Sequence, residues 1–147
     1  MGAMKAVVLY KSLTGNTRRA AELIATDLQQ EGWGVTAVCP WNRPEMAAIQ
    51  DADVVIIGTW VDGLFAIAQK PFGLGAIRHL PAIQGKLAAT YCTFALNPGR
   101  TLDKLDTAVS ALGANVVGGL ALNRNRLRAH SEEFAARLVA NVPSPLR

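Results

Sequence analysis

Cysteine is scarce in this chain: Cys39 and Cys92 lie far apart, each in or beside an apolar run. That spacing builds neither a disulfide framework nor a metal-ligand pattern, and it fits a reducing compartment, so a cytoplasmic location is expected. Histidine is equally scarce. His79 and His130 have no partner pattern and read as surface or helix-end residues, with no metal site expected. No apolar run approaches the roughly 20 residues a membrane helix needs; Val54 to Ile57 and Leu87 to Leu96 have strand length. The N-terminus lacks the apolar core of a secretion signal. Internal repeats, low-complexity segments and tight two-residue hairpin turns are missing too. Acidic residues are the minority, 11 against 15 Lys and Arg, yet a net charge of +4 is too small to imply nucleic-acid binding. Asp51 and Asp53 do not read as an acid–base dyad, because one sits in a turn and the other opens a strand.

What remains is apolar: half of the 147 residues, enough for the core of one domain spanning 1–147. Met1 to Ala3 read as an appended leader ahead of a natural start at Met4, and 142–147 as a frayed tail. Lys5 to Tyr10 is a β-branched apolar run and predicts a buried strand. Ala20, Ile24 and Leu28 follow on one helical face, stopped at Glu31-Gly32. Gly34 to Cys39 predicts a second strand, Pro44 to Ile49 a short helix, and Asp53 to Thr59 the third and most apolar strand. A loop from Trp60 to Phe65 and a helix from Pro71 to about Leu80 come next; Gly73 and Gly75 weaken that helix. Lys86 to Thr93 predicts the fourth strand and Asn97-Pro98-Gly99 a turn. Leu102, Leu105, Val109 and Leu112 mark a helix ended by Gly113. Asn115 to Leu122 is the fifth strand, and Phe134, Ala135, Leu138 and Val139 mark the last helix. Trp33 and Trp41 flank the second strand and are expected to pack against helices. Strands that are continuously apolar and alternate with helices predict an α/β fold, a three-layer α/β/α sandwich around a doubly wound, five-stranded parallel sheet. Five strands in a chain this short favour the order 2-1-3-4-5.

In such sheets ligands sit beyond the carboxyl ends of the strands, at the switch point beside strand one. The loop there reads Ser12-Leu13-Thr14-Gly15-Asn16-Thr17 and opens into a helix. Three hydroxyls, backbone N–H groups and the helix N-terminus suit a phosphate monoester, and Gly15 lets the backbone curl around it. Without a lysine or a GK[ST] ending, this is no nucleoside-triphosphate loop. The bland alternative is that Ser12 or Thr14 only caps the helix. Phe72-Gly73-Leu74-Gly75 does not follow a strand and is no dinucleotide fingerprint. A phosphorylatable receiver domain needs an acidic cluster after strand one and an aspartate ending strand three; Tyr10-Lys11 and Thr59-Trp60 supply neither.

The loop matches [ST]-x-T-G-x-T at every fixed position, and here the chain resembles the flavodoxin family, in its short-chain form, over nearly its whole length. The resemblance implies a flavodoxin-like fold and bound flavin mononucleotide (FMN), its phosphate held by Ser12, Leu13, Thr14, Gly15, Asn16 and Thr17. It places the flavin ring between two further loops. One is Thr59, Trp60, Val61, Asp62 and Gly63, where Trp60 matches the stacking tryptophan and a peptide in the Val61-Asp62-Gly63 turn faces flavin N5 and flips on reduction. A β-branched Val61 makes that flip costlier. The other loop is Thr93, Phe94, Ala95, Leu96 and Asn97. It departs from the family by lacking a stacking tyrosine, so Phe94 or Leu96 takes that place. Residue by residue, the plainer alternatives are a rim aromatic for Trp60, core packing for Phe94, a buried structural thiol for Cys92 rather than one beside the flavin, and surface positions for Arg18 and Arg19 rather than phosphate ligands. The function implied is electron transfer between an NAD(P)H-dependent flavodoxin or ferredoxin reductase and an acceptor protein. Because this chain is basic where flavodoxins are typically acidic, the partner surface is expected to be acidic, with no nucleic acid and no membrane involved. The competing readings are a small FMN-dependent quinone or protoporphyrinogen oxidoreductase and a flavin-free binding domain of the same fold.

Overall fold

The computed structural model describes residues 4–11, 15–41, 43–61 and 83–142. Five strands form one parallel sheet: β1 (Lys5–Tyr10), β2 (Gly34–Pro40), β3 (Val54–Trp60), β4 (Leu87–Phe94) and β5 (Asn115–Asn123), in the order β2-β1-β3-β4-β5. The helices are α1 (Asn16–Gln30), α2 (Met46–Asp51), α3 (Thr101–Ala111) and α4 (Leu127–Asn141). The expected doubly wound architecture is therefore the one present. The expected helix from Pro71 to Leu80, with Gly73 and Gly75, lies outside the described residues, as do His79 and the tail 143–147.

Alternation along the strands explains why they read as unbroken apolar runs. Ala6, Val8, Val54, Ile56, Ala89, Tyr91 and Leu122 face one core, completed by Ile24 and Leu28 of α1 and Phe134 and Leu138 of α4. Val7, Leu9, Val55 and Ile57 face the other, completed by Ile49 of α2 and Leu105 and Val109 of α3. Each central strand is thus buried on both sides, which favours β-branched side chains that pack well on a pleated surface. Trp33 joins the first core and Trp41 the second.

Full burial stops at the edges. β2 is mostly half-buried, and Val117, Gly118 and Gly119 of β5 are exposed. An edge strand has one neighbour only, and two glycines leave little side chain to cover. Boundaries move by a residue or two from the expected ones: α2 begins at Met46 rather than Pro44, and Trp60 ends β3 instead of opening the loop after it. Asp51 and Asp53 clamp Lys5 at the opposite end of the sheet. The Asp53 carboxylate accepts from the Lys5 backbone N–H at 2.9 Å, and Asp51 accepts from Lys5 Nζ at 3.3 Å. This is a structural role.

Gly58 and Tyr91 are register partners on β3 and β4. A Cβ on Gly58 would stand 1.9 Å from Tyr91 Cζ, so the glycine is the seat of the buried ring. Phe134 closes the other side edge-on, its ring centre 6.0 Å from that of Tyr91. Gly58→Ala is expected to cost about 3 kcal/mol in urea unfolding, since the ring has nowhere to move. Adding Tyr91→Leu is expected to return part of that loss; a double variant as unstable as the sum of the two single ones would show that the clash is not the cause.

Candidate functional site

The carboxyl ends of β1, β3 and β4 and the start of α1 converge at one end of the sheet. Gly15 is the N-cap of α1 and adopts φ +93°, the left-handed region that disfavours residues with a Cβ; open space surrounds it. The helix opens with the Arg19 N–H donating to the Gly15 carbonyl at 2.8 Å. The start of α1 turns the positive end of the helix dipole toward this end of the sheet. Ser12, Leu13 and Thr14, which the sequence puts in the same cradle, lie outside the described residues, as do Asp62 and Gly63.

Thr17 follows a different course from its loop neighbours. It is 1% exposed, and its Oγ1 lies 2.9 Å from Thr93 Oγ1, a buried hydroxyl pair that joins α1 to the end of β4. Beneath it, Tyr91 Oη donates to the Thr17 carbonyl at 2.8 Å. Burial, followed by the nearby Tyr10 hydroxyl, holds the Tyr91 phenol well above its ordinary range, so it remains a donor. Thr93 in turn is paired with Trp60, and its carbonyl accepts from the Val61 N–H at 3.0 Å. Two of the three site segments thus meet on Thr93, and the third is tied to it through Thr17.

The remaining residues spread over this frame. Thr59 is fully buried and Trp60 half-buried. Phe94 and Ala95 are half-buried, whereas Leu96 is 82% exposed, a large apolar side chain left in water at the rim. Asn97 shapes the turn after it, its Oδ1 accepting from the Gly99 N–H at 2.7 Å. Arg18 pairs with Glu22 at 3.3 Å, and Arg19 is exposed beside Asn16.

Sequence reasoning missed three contributors. Tyr91 and Gly58 were silent because only the β3–β4 register brings them together. A glycine inside the most apolar strand was the one signal, since such a residue marks a close approach. His130 is more than a helix-end residue: its Nδ1 accepts from the Asn123 backbone N–H at 3.0 Å, which fastens the end of β5 to α4.

Cys92 is fully buried, and its thiol is pushed up to about 12, first by burial and then by the nearby Asp106 carboxylate. Asp106 accepts a hydrogen bond from Thr90 Oγ1, and burial holds its own carboxyl above the usual range. Cys39 is buried too, its thiol raised by the same desolvation. Neither is an activated nucleophile. Among the described residues no three His, Cys, Asp or Glu side chains gather to hold a metal ion, and no helix is long and apolar enough to cross a membrane.

The sequence pattern of the Flavodoxin domain family matches residues 7–106. No curated protein matches the chain. Among solved structures it is similar to oxidised flavodoxin 1 from Bacillus cereus, with 22% identity and a TM-score of 0.72 over 95% of this chain and 99% of that one. It is also similar to two-electron reduced Megasphaera elsdenii flavodoxin, with 18% identity and a TM-score of 0.68 over 89% and 98%. A flavodoxin from the domain Archaea gives 18% and 0.64 over 92% and 99%. At these identities the structures speak for the fold.

At pH 8 a thiol titrating near 12 is ionised in only about one molecule in ten thousand. Native protein is therefore expected to resist labelling of Cys92 by a disulfide reagent until urea unfolds it. Rapid labelling of the folded chain at pH 8 would contradict the burial and charge described for Cys92.

Proposed function

Since this chain belongs to the flavodoxin family, whose cofactor is FMN, we propose that it carries electrons from an NAD(P)H-dependent reductase to an acceptor protein with an acidic surface. The observation that carries this reading is the start of α1: a left-handed Gly15 and a first turn fastened to the sheet by Tyr91 and Thr93. A helix N-terminus tied to the sheet suits a phosphate, and an exposed apolar rim suits a flat ring, so the residues present fit FMN. When bound, FMN supplies reversible one- and two-electron redox chemistry; the chain supplies binding, orientation and electrostatics.

In this reading Ser12, Thr14, Asn16 and the backbone of 13 to 17 hold the phosphate. Thr17 contributes its N–H, while its hydroxyl serves the tie to Thr93. Thr59 is fully buried, so it serves through its backbone, as do Val61, Asp62 and Gly63 along the ring edge. Trp60 stacks on one face of the ring. Leu96 rather than Phe94 covers the other, because Leu96 has 82% of its surface still to bury and Phe94 is already half-committed to packing. Ala95 and Asn97 shape the turn that presents it. Two buried, raised thiols leave the flavin's chemistry without a competing cysteine, and they suit a reducing cytoplasm.

FMN is expected to bind far more tightly than riboflavin, which lacks the phosphate; fluorescence titration giving equal affinities would refute the phosphate cradle. Thr14→Ala is expected to weaken FMN by about 1–3 kcal/mol and riboflavin not at all.

The ring loops make a separate forecast. Trp60→Ala is expected to weaken FMN by about 1–2 kcal/mol and partly restore its quenched emission. Leu96→Ala is expected to lose about 1 kcal/mol. If Phe94→Ala alters binding and Leu96→Ala leaves it unchanged, the second face is assigned to the wrong residue.

A further inference from the structure

The junction of β5 and α4 reads Asn123-Arg124-Asn125-Arg126-Leu127-Arg128, with an arginine at every second position. Arg124–Arg126 form a single 3₁₀ turn. Asn123 fixes it from both sides: its side-chain oxygen accepts from the Asn125 N–H at 2.9 Å, and its own N–H donates to His130 at 3.0 Å. The arginines are thus exposed on a backbone that is held in place. With Arg19 and Asn16 of α1 they line an open cleft of about 700 Å³.

Their pairing sets them apart. Arginines elsewhere on the helices have a carboxylate three or four residues away: Arg18 with Glu22, Arg100 with Asp103, and Arg137 with Glu133. Among the described residues Arg19, Arg124 and Arg126 form no such pair. Arg128 acts on Asp27, whose carboxyl is raised first by burial and then by Glu132, and Arg128 draws it back down. Among the described residues Glu132 is the single carboxylate lining the cleft. The first turn of α4 holds no acidic residue and no side-chain cap, so the helix dipole adds to the positive field. These arginines gather beside the start of α1, whereas Lys5 at the other end of the sheet faces Asp51 and Asp53.

We propose that this cleft is the docking surface for an acidic electron-transfer protein. The inference rests on the FMN-carrier reading and names where the partner sits. Asn16 belongs both to the cleft and to the phosphate loop, so a partner seated on the arginines lies against the flavin end. Four guanidiniums exceed what one phosphate monoester needs, and they spread over two helices and a turn, as carboxylates on a protein surface do. Arginine is also the charged residue most favoured at protein interfaces. Among the described residues no aromatic side chain lines the cleft, where a single-stranded nucleic-acid site would place a stacking platform.

The test is an amide NMR titration of the FMN-loaded protein with a plant-type [2Fe–2S] ferredoxin as the acidic probe. The amides of 124–128 and Arg19 are expected to shift or broaden first. Affinity is expected to drop at least about tenfold between about 20 mM and about 200 mM salt. Charge reversal by Arg124→Glu, Arg126→Glu and Arg128→Glu together is expected to weaken binding at least about tenfold, with the fold verified by circular dichroism. Arg43→Glu, just beyond the opposite edge strand, is expected to change it less than about twofold. Shifts centred elsewhere, an equal loss from Arg43→Glu, or tighter binding of poly(A) RNA than of ferredoxin at the same salt would overturn the assignment. Failure to take up FMN would sink the carrier reading alone; docking is scored on the same sample, and presence or absence of the arginine-centred shifts decides the surface separately.

Discussion

A phenol buried under the carboxyl end of the sheet holds the candidate site together. Tyr91 Oη donates to the first-turn carbonyl of α1 at Thr17, and the Thr17 hydroxyl meets Thr93 one strand residue beyond Cys92. In a low-dielectric interior such bonds are strong when satisfied and costly when broken, so the pair fixes the helix start against β4. The arrangement needs a large ring in the middle of a parallel sheet, and that ring needs Gly58. Thr93 then passes the constraint on to Trp60 and Val61 through strand pairing and a backbone bond. A loop whose ends are held in this way can present donors and a flat surface without ordering them anew when a cofactor arrives.

Much of the frame was legible in the sequence because its signals are local. β-branched runs such as Val54 to Ile57 declare a buried strand, and Gly15 declares the turn into α1, each from a few neighbouring positions. What stayed hidden depends on register or on distant elements. Tyr91 and Gly58 are 33 positions apart and become partners only through the β3–β4 pairing. Thr17 satisfies the loop pattern by spacing, yet spacing does not reveal that its hydroxyl spends a bond on Thr93. Trp60 reads as a loop residue from composition and is held as the last residue of a strand. The choice between Phe94 and Leu96 could not be made from an apolar stretch that contains both; the proposed assignment to Leu96 rests on its greater exposure.

Charge shows the same division between sum and placement. The net charge of +4 says little by itself. Its distribution says more: among the described residues Arg18 and Arg137 pair with carboxylates and Lys5 is clamped at the amino end, whereas Arg19, Arg124 and Arg126 line one cleft. Surface charge of this kind is screened within a Debye length of about 8–10 Å, so it governs encounter and orientation at that patch more than the energetics of the buried lock.

The central claim is that the Tyr91–Thr17 bond positions the phosphate cradle, and Tyr91→Phe tests it most directly. The variant keeps the ring in its seat and removes one donor. Its affinities for FMN and for riboflavin are to be measured side by side by fluorescence titration of the folded protein. A several-fold weakening of FMN, about 1 kcal/mol, with riboflavin unchanged is the predicted result. FMN affinity equal to that of the unmodified chain, in a variant that remains folded, would contradict it.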